Sequence, residues 1–139
     1  EELLDDLEHP LIRSNTALAI GGISKRLDDN TLTDTLEQHL KTETNEDVKE
    51  AIVYALSDIA DESSLDIFHE YIKLDHNEVL RFHIAKALTE IASEKSAKVL
   101  FDIIKGKNTE TLKLQCERAL NEISEKNDVS RDKLEKKYG

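Results

Sequence analysis

The 139-residue chain is expected to fold as an all-α protein, a right-handed α-α superhelix of about four stacked helix pairs. Three observations predict this. A short segment recurs three times at a constant step of 32 residues. Within each copy the apolar positions fall on one side of an α-helix, and no alternating strand pattern appears. One Pro and four Gly leave few punctuators for tight hairpins.

The recurring segment is Ala55-Leu56-Ser57-Asp58-Ile59, then Ala87-Leu88-Thr89-Glu90-Ile91, then Ala119-Leu120-Asn121-Glu122-Ile123. A fourth version, Ala19-Ile20-Gly21-Gly22-Ile23, lies 36 residues before the first. Upstream, Ile12, Val48, Leu80 and Leu112 form one column, each followed by a base: Arg13, Lys49, Arg81 and Lys113. Thr16, Ile52, Ile84 and Cys116 form the next. These columns define the second helix of each unit.

The first helix of each unit is marked by the columns Leu36, Phe68, Leu100 and Leu40, Ile72, Ile104. Thr35, Ile67, Val99 and His39, Tyr71, Ile103 complete its inner face. Taken in order, helices are expected over 33–41, 46–60, 64–74, 78–92, 96–105 and 110–124, within repeats 1–26, 27–61, 62–94 and 95–126. Thr31, Ser63 and Ser96 are the N-caps expected for the first helices, with Asp34 and Asp66 placed for a capping box. Asn45, Asn77 and Thr109 open the second helices, with Glu46, Glu78 and Glu110 at the positive end of the dipole. The four extra residues of the first step, around Arg26 to Asp29, are read as a longer inter-repeat loop. Residues 127–139 carry Val129, Leu134 and Tyr138, a thin apolar stripe suited to a capping helix.

The expected core is aliphatic: Ile52, Leu56, Ile59, Ile67, Phe68, Ile72, Ile84, Leu88, Ile91, Leu100, Ile104, Leu120 and Ile123. One helix pair cannot bury its apolar face alone, so the copies must stack. Leu4 aligns with Leu40, Ile72 and Ile104, which puts most of a first helix upstream of residue 1. The expectation is that the chain is part of a longer protein, or that another chain covers this end.

Composition narrows the function. The net charge of −11 opposes nucleic-acid affinity, which rests on phosphate neutralisation, and opposes binding to anionic membranes. A neutral or basic protein or peptide is the expected partner, and exposed repeat ends admit homo-oligomers. No apolar run approaches a membrane span and the single Cys116 fits a reducing compartment, so a cytoplasmic location is expected.

No catalytic, cofactor or metal constellation is legible. His9, His39, His69, His76 and His83 are scattered, with none four residues from another. The acid clusters Asp5-Asp6, Asp28-Asp29 and Asp61-Glu62 lack the glycine spacing of a calcium loop. Gly21-Gly22 lies inside a helical repeat rather than in a phosphate loop, and weakens its helix by about 1 kcal/mol per glycine relative to Ala.

The run of Val-Lys or Leu-Arg, a small or apolar residue, Ala-Leu and then Ile resembles the short HEAT-like repeat of phycobilisome-lyase type, over roughly residues 1 to 124. The resemblance implies a helical solenoid that holds another protein. Two enzyme groups use such repeats. Nothing here marks a bilin site. The His-Glu pairs that hold two irons in deoxyhypusine hydroxylase correspond to Ser14-Asn15, Glu50-Ala51, Phe82-His83 and Leu114-Gln115, which offer no such ligand set.

By the same resemblance the second helices line a concave surface. Their outward columns contain Leu18, Val53, Tyr54, Phe82, Lys86, Leu114 and Arg118. Apolar residues on a solvated helix face point to an interaction surface, with Tyr54 and Phe82 as anchors. The leading function is a non-catalytic scaffold or adaptor that takes a peptide or protein segment in this groove. The alternative is a regulatory or substrate-presenting domain of a larger enzyme complex, including a bilin-lyase-like one.

Overall fold

A computed structural model describes residues 9–74 and 77–139. Among them it shows eight α-helices and no strand: α1 (Pro10–Leu27), α2 (Thr33–Thr42), α3 (Glu46–Ile59), α4 (Leu65–Leu74), α5 (Glu78–Ile91), α6 (Ser96–Lys105), α7 (Glu110–Asn127) and α8 (Arg131–Tyr138). Helices α1, α3, α5 and α7 pack side by side in one layer. Helices α2, α4 and α6 lie against them as a second layer, and α8 rests on α6 and α7. Leu4 and its alignment lie outside the described residues.

The long helices start where the sequence predicts. The side chains of Asn45, Asn77 and Thr109 accept the N–H groups of Val48, Leu80 and Leu112 at 3.1, 3.1 and 3.2 Å. Such a cap is worth about 1 kcal/mol because it satisfies an orphan donor of the first turn. The caps also tie the repeats together. Asn77 Nδ2 donates to Glu46 Oε2 at 2.9 Å, and Thr109 Oγ1 donates to Glu78 Oε2 at 3.1 Å. Asn77 and Thr109 thus each reach the first-turn glutamate of the preceding unit.

The short helices start differently. Thr31 and Ser63 are not their caps: α2 begins after Leu32 and α6 after Lys95, neither with a side-chain cap bond. A short 3₁₀ turn over Glu62–Ser64, capped by Asp61, leads into α4. Ser96 is the first residue of α6 and is buried. The reason is backbone pairing at this corner. Thr33, Ser64 and Ser96 donate their N–H groups to the carbonyls of Asn30, Asp61 and Ser93, three residues back. Tight turns of this kind satisfy donors that a side chain would otherwise take.

The four extra residues near Arg26 do not form a longer loop. They lengthen α1 to 18 residues, against 14 for α3 and α5. Asp28 then closes the helix in the left-handed region (φ 51°), with Asp29 N–H bonded to Ser24 O at 2.9 Å. Helix α7 ends the same way at Asp128, where Val129 N–H bonds to Ser124 O. Both helices that flank the stack are therefore one turn longer than the two between them.

The core follows the repeat. Leu56, Leu88 and Leu120 are fully buried, as are Leu36, Phe68 and Leu100 opposite them. Ile59, Ile91 and Ile104, expected in the core, are partly buried at its margin. Leu134 of α8 is fully buried, with Val129 and Tyr138 packed beside it. Arg131 joins this cap to the stack by an ion pair with Glu117 at 2.7 Å and by its position over the Phe101 ring. Helix α1 is less covered. Ile12 is 50 % exposed, whereas Val48, Leu80 and Leu112 in the same column are at most 2 % exposed.

Ion pairs add local ties. Arg13 holds Glu43 through two nitrogens at 3.0 and 3.2 Å, and the N–H groups of Thr44 and Asn45 bond the same carboxylate. Burial pushes the Glu43 carboxyl up, but these hydrogen bonds and the Arg13 charge hold it below its ordinary value.

Gly21 sets the spacing between α1 and α3. A Cβ built on it would lie 2.6 Å from Ala55 Cα, so only glycine fits this crossing. Gly22 has open space at the same point. Urea unfolding separates the two: Gly21→Ala is expected to lose about 1–3 kcal/mol through overpacking. Gly22→Ala is expected to gain up to about 1 kcal/mol of helix propensity. Equal gains from both would contradict the close approach.

Candidate protein-binding surface

Of the seven residues proposed from sequence for the groove, six stand on the solvent-facing side of the long-helix layer. Leu18 and Tyr54 are 40 % and 39 % exposed, Phe82 43 % and Leu114 53 %, and Lys86 and Arg118 are exposed beside them. Val53 does not belong with them. It is fully buried, together with Ala17 and Ala85 of its column. The correction has a simple cause. A helix inside a side-by-side layer buries both flanks as well as the face toward the second layer. Of the column Ala17, Val53, Ala85 and Glu117, only Glu117 escapes burial.

The remaining residues are held in place by their own neighbours. The Lys86 ammonium lies 5.0 Å from the centre of the Tyr54 ring, a cation–π contact one repeat apart. Phe82 stands edge-on to His83, with ring centres 6.4 Å apart. Gln115 Nε2 donates to the Phe82 carbonyl at 3.3 Å, which draws α7 beside this point of α5.

A cleft of about 340 Å³ opens here, lined by Glu78, Val79, Phe82, Thr109, Thr111 and Leu112. Val79 is 52 % exposed and was missed in the reading of the sequence. Its signal was available: it lies three residues before Phe82 and off the core stripe, so the two form an apolar pair on one exposed ridge. Glu78 and the hydroxyls of Thr109 and Thr111 give this cleft a polar rim.

The basic column does not line the ridge as a free set. Arg13 is paired with Glu43, Lys49 with Glu46 at 3.1 Å, and Arg81 donates to Ile72 O and Asn108 Oδ1. Arg13 and Arg81 serve the turns between helices, while Lys49 bonds within its own helix.

Among the described residues, no group of three or more His, Cys, Asp or Glu side chains is placed to hold a metal ion. His69 Nε2 lies 2.6 Å from Asp102 Oδ2, a pair that links α4 to α6. Cys116 is fully buried in the core column of Ile52 and Ile84. No described helix is long and apolar enough to cross a membrane.

The chain fits the family model for HEAT repeats over residues 33–121. No curated protein matches it.

Burial pushes the Cys116 thiol up to about 12, and the nearby Glu117 charge adds to the shift. The thiol is therefore protonated near neutral pH and out of reach of solvent. Iodoacetamide at pH 8 should leave it unmodified in the folded protein and alkylate it once urea unfolds the chain. Rapid alkylation of the folded protein would place Cys116 outside the core.

Proposed function

The chain belongs to the HEAT repeat family, and we propose that it works as a non-catalytic scaffold or adaptor that holds a peptide or protein segment on its long-helix face. HEAT repeats generally mediate protein–protein interaction as scaffolds. One observation carries the finer reading: Val79, Phe82 and Leu114 remain about half exposed on the neighbouring helices α5 and α7, although both helices bury their core stripes. An apolar ridge of this kind, beside a small cleft with a polar rim, is the form of a protein contact surface.

Phe82 is the expected anchor, because a half-exposed aromatic beside a pocket gives a large apolar contact at little cost in side-chain entropy. Tyr54, with Lys86 over its ring, supplies a second, more polar contact. Leu18 and Arg118 extend the same face toward the two ends of the stack. The acidic whole favours a neutral or basic segment over nucleic acid.

A second reading, a regulatory or substrate-presenting domain within a larger complex, draws on α1. There Leu11, Ile12, Ile23 and Leu27 are 61 %, 50 %, 48 % and 69 % exposed. Such a face suits burial against another subunit or another copy of this chain.

The test is retention of proteins from an extract of the native host on immobilised wild-type chain and on Phe82→Asp. A partner seated on the ridge should be held by the wild type and lost from the variant, consistent with an anchor worth about 2 kcal/mol or more. A partner lost instead on Leu27→Asp, and kept on Phe82→Asp, would favour the second reading.

A further inference from the structure

A cleft of about 690 Å³ lies between α4, α6 and the turn that leads into α7. It is lined by His69, Ile72, Lys73, Arg81, Lys98, Asp102, Lys105, Gly106, Lys107 and Asn108. Among the described residues that line it, five are Lys or Arg and one is acidic. This local excess of positive charge is set in a chain of net charge −11.

The repeat register shows that two of the bases stand where the other units carry acids. Lys98 aligns with Asp34 and Asp66 at the 32-residue step. Lys107 aligns in the same way with Glu43 and Asp75. Both reversals occur in the last unit, and both line this one cleft. Lys98 sits in the first turn of α6, where the helix dipole favours an acid.

The second repeat shows what the register position of Lys107 holds elsewhere. There the Glu43 carboxylate meets Arg13 and two backbone N–H groups. Two steps along, the base equivalent to Arg13 is Arg81, which is 5 % exposed and fixed to Ile72 O and Asn108 Oδ1. Lys107 takes the register position of that carboxylate. Lys98 is only loosely held by Asp102 at 3.5 Å, and Asp102 is shared with His69. Lys73, Lys105 and Lys107 make no ion pair among the described residues.

We propose that this cleft binds a compact anion, a phosphate monoester group, held by Lys98, Lys105 and Lys107 with Lys73 at the rim. A doubly charged group suits a cleft lined by several lysines better than a single carboxylate does. The acidic remainder of the surface works against an extended polyanion or an anionic membrane and tolerates a small one. The site is separate from the Phe82 ridge and does not rest on the scaffold reading.

The reversals supply their own control. Lys98→Asp with Lys107→Glu restores the residue types of the neighbouring units, so folding is expected to persist, and helical circular dichroism checks it. Nuclear magnetic resonance titrations with inorganic phosphate, and with a short phosphoserine peptide, read binding directly. At low salt the wild type should give saturable shifts at Lys98, Lys105 and Lys107 with at least one probe, and the double variant should bind at least about tenfold more weakly. Lys41→Glu, outside the cleft, should bind like the wild type.

Equal affinity for the two probes would identify a free phosphorylated molecule as the source. A peptide preference of about tenfold or more would identify a phosphorylated protein segment. The proposal is overturned if neither probe saturates by about 10 mM, a limit near the weakest specific affinities. It is also overturned if the folded double variant binds as tightly as the wild type, or if only an oligonucleotide or anionic vesicle binds.

Discussion

The fold depends on the need of each long helix inside the stack to be buried on three sides. The stripe of Ile52, Leu56, Ile84, Leu88 and Leu120 faces the second layer and is at most 1 % exposed. The flanks meet the neighbouring long helices, and there small residues dominate: Ala17, Ala51, Ala55, Ala85 and Ala87 are all buried. A helix pair alone leaves two of these surfaces in water, which costs about 25 cal/mol for every Å² of apolar area. Repetition is therefore the fold's means of closing its core, and Gly21 shows how close the closure is at the first junction.

The polar ties come after this packing and decorate its edges. Caps that reach back to the previous unit, such as Asn77 to Glu46 and Thr109 to Glu78, align the helix starts. Tyr71 Oη bonds Leu40 O at 2.9 Å, and Asn127 Nδ2 bonds Ala92 O at 2.7 Å, each spanning about one repeat. Single hydrogen bonds of this type contribute about 1 kcal/mol each. Their common step matters more, since it fixes the register in which one unit meets the next. The exposed ridge and the basic cleft are then the places where the repeat departs from its own pattern.

Most of the fold was legible in the sequence because one period governs it. Residues recurring at 32-residue spacing had to occupy equivalent places, so helix order and the main core columns could be read directly. The misreadings lie where packing is set by neighbours rather than by period. Val53 shares a wheel position with groove residues, yet the flank contact buries it. The residues near Arg26 carry polar character suited to a loop, yet they extend α1 because its left-handed cap falls at Asp28. Thr31 and Ser63 are good capping residues that the backbone turn made unnecessary. The candidate ridge was partly legible: Phe82 and Leu114 broke the polar rule, and Val79 went unread because it adjoins the core residue Leu80.

The central claim is that the ridge is spared from holding the fold together and so is available to a partner. Urea unfolding of two variants measures this directly. Leu88→Ala, in the closed core, is predicted to lose about 2–5 kcal/mol. Phe82→Ser combined with Leu114→Ser, on the half-exposed ridge, is predicted to lose less than about 1 kcal/mol, as surface changes do. A loss from the ridge pair as large as that from Leu88→Ala would contradict the account.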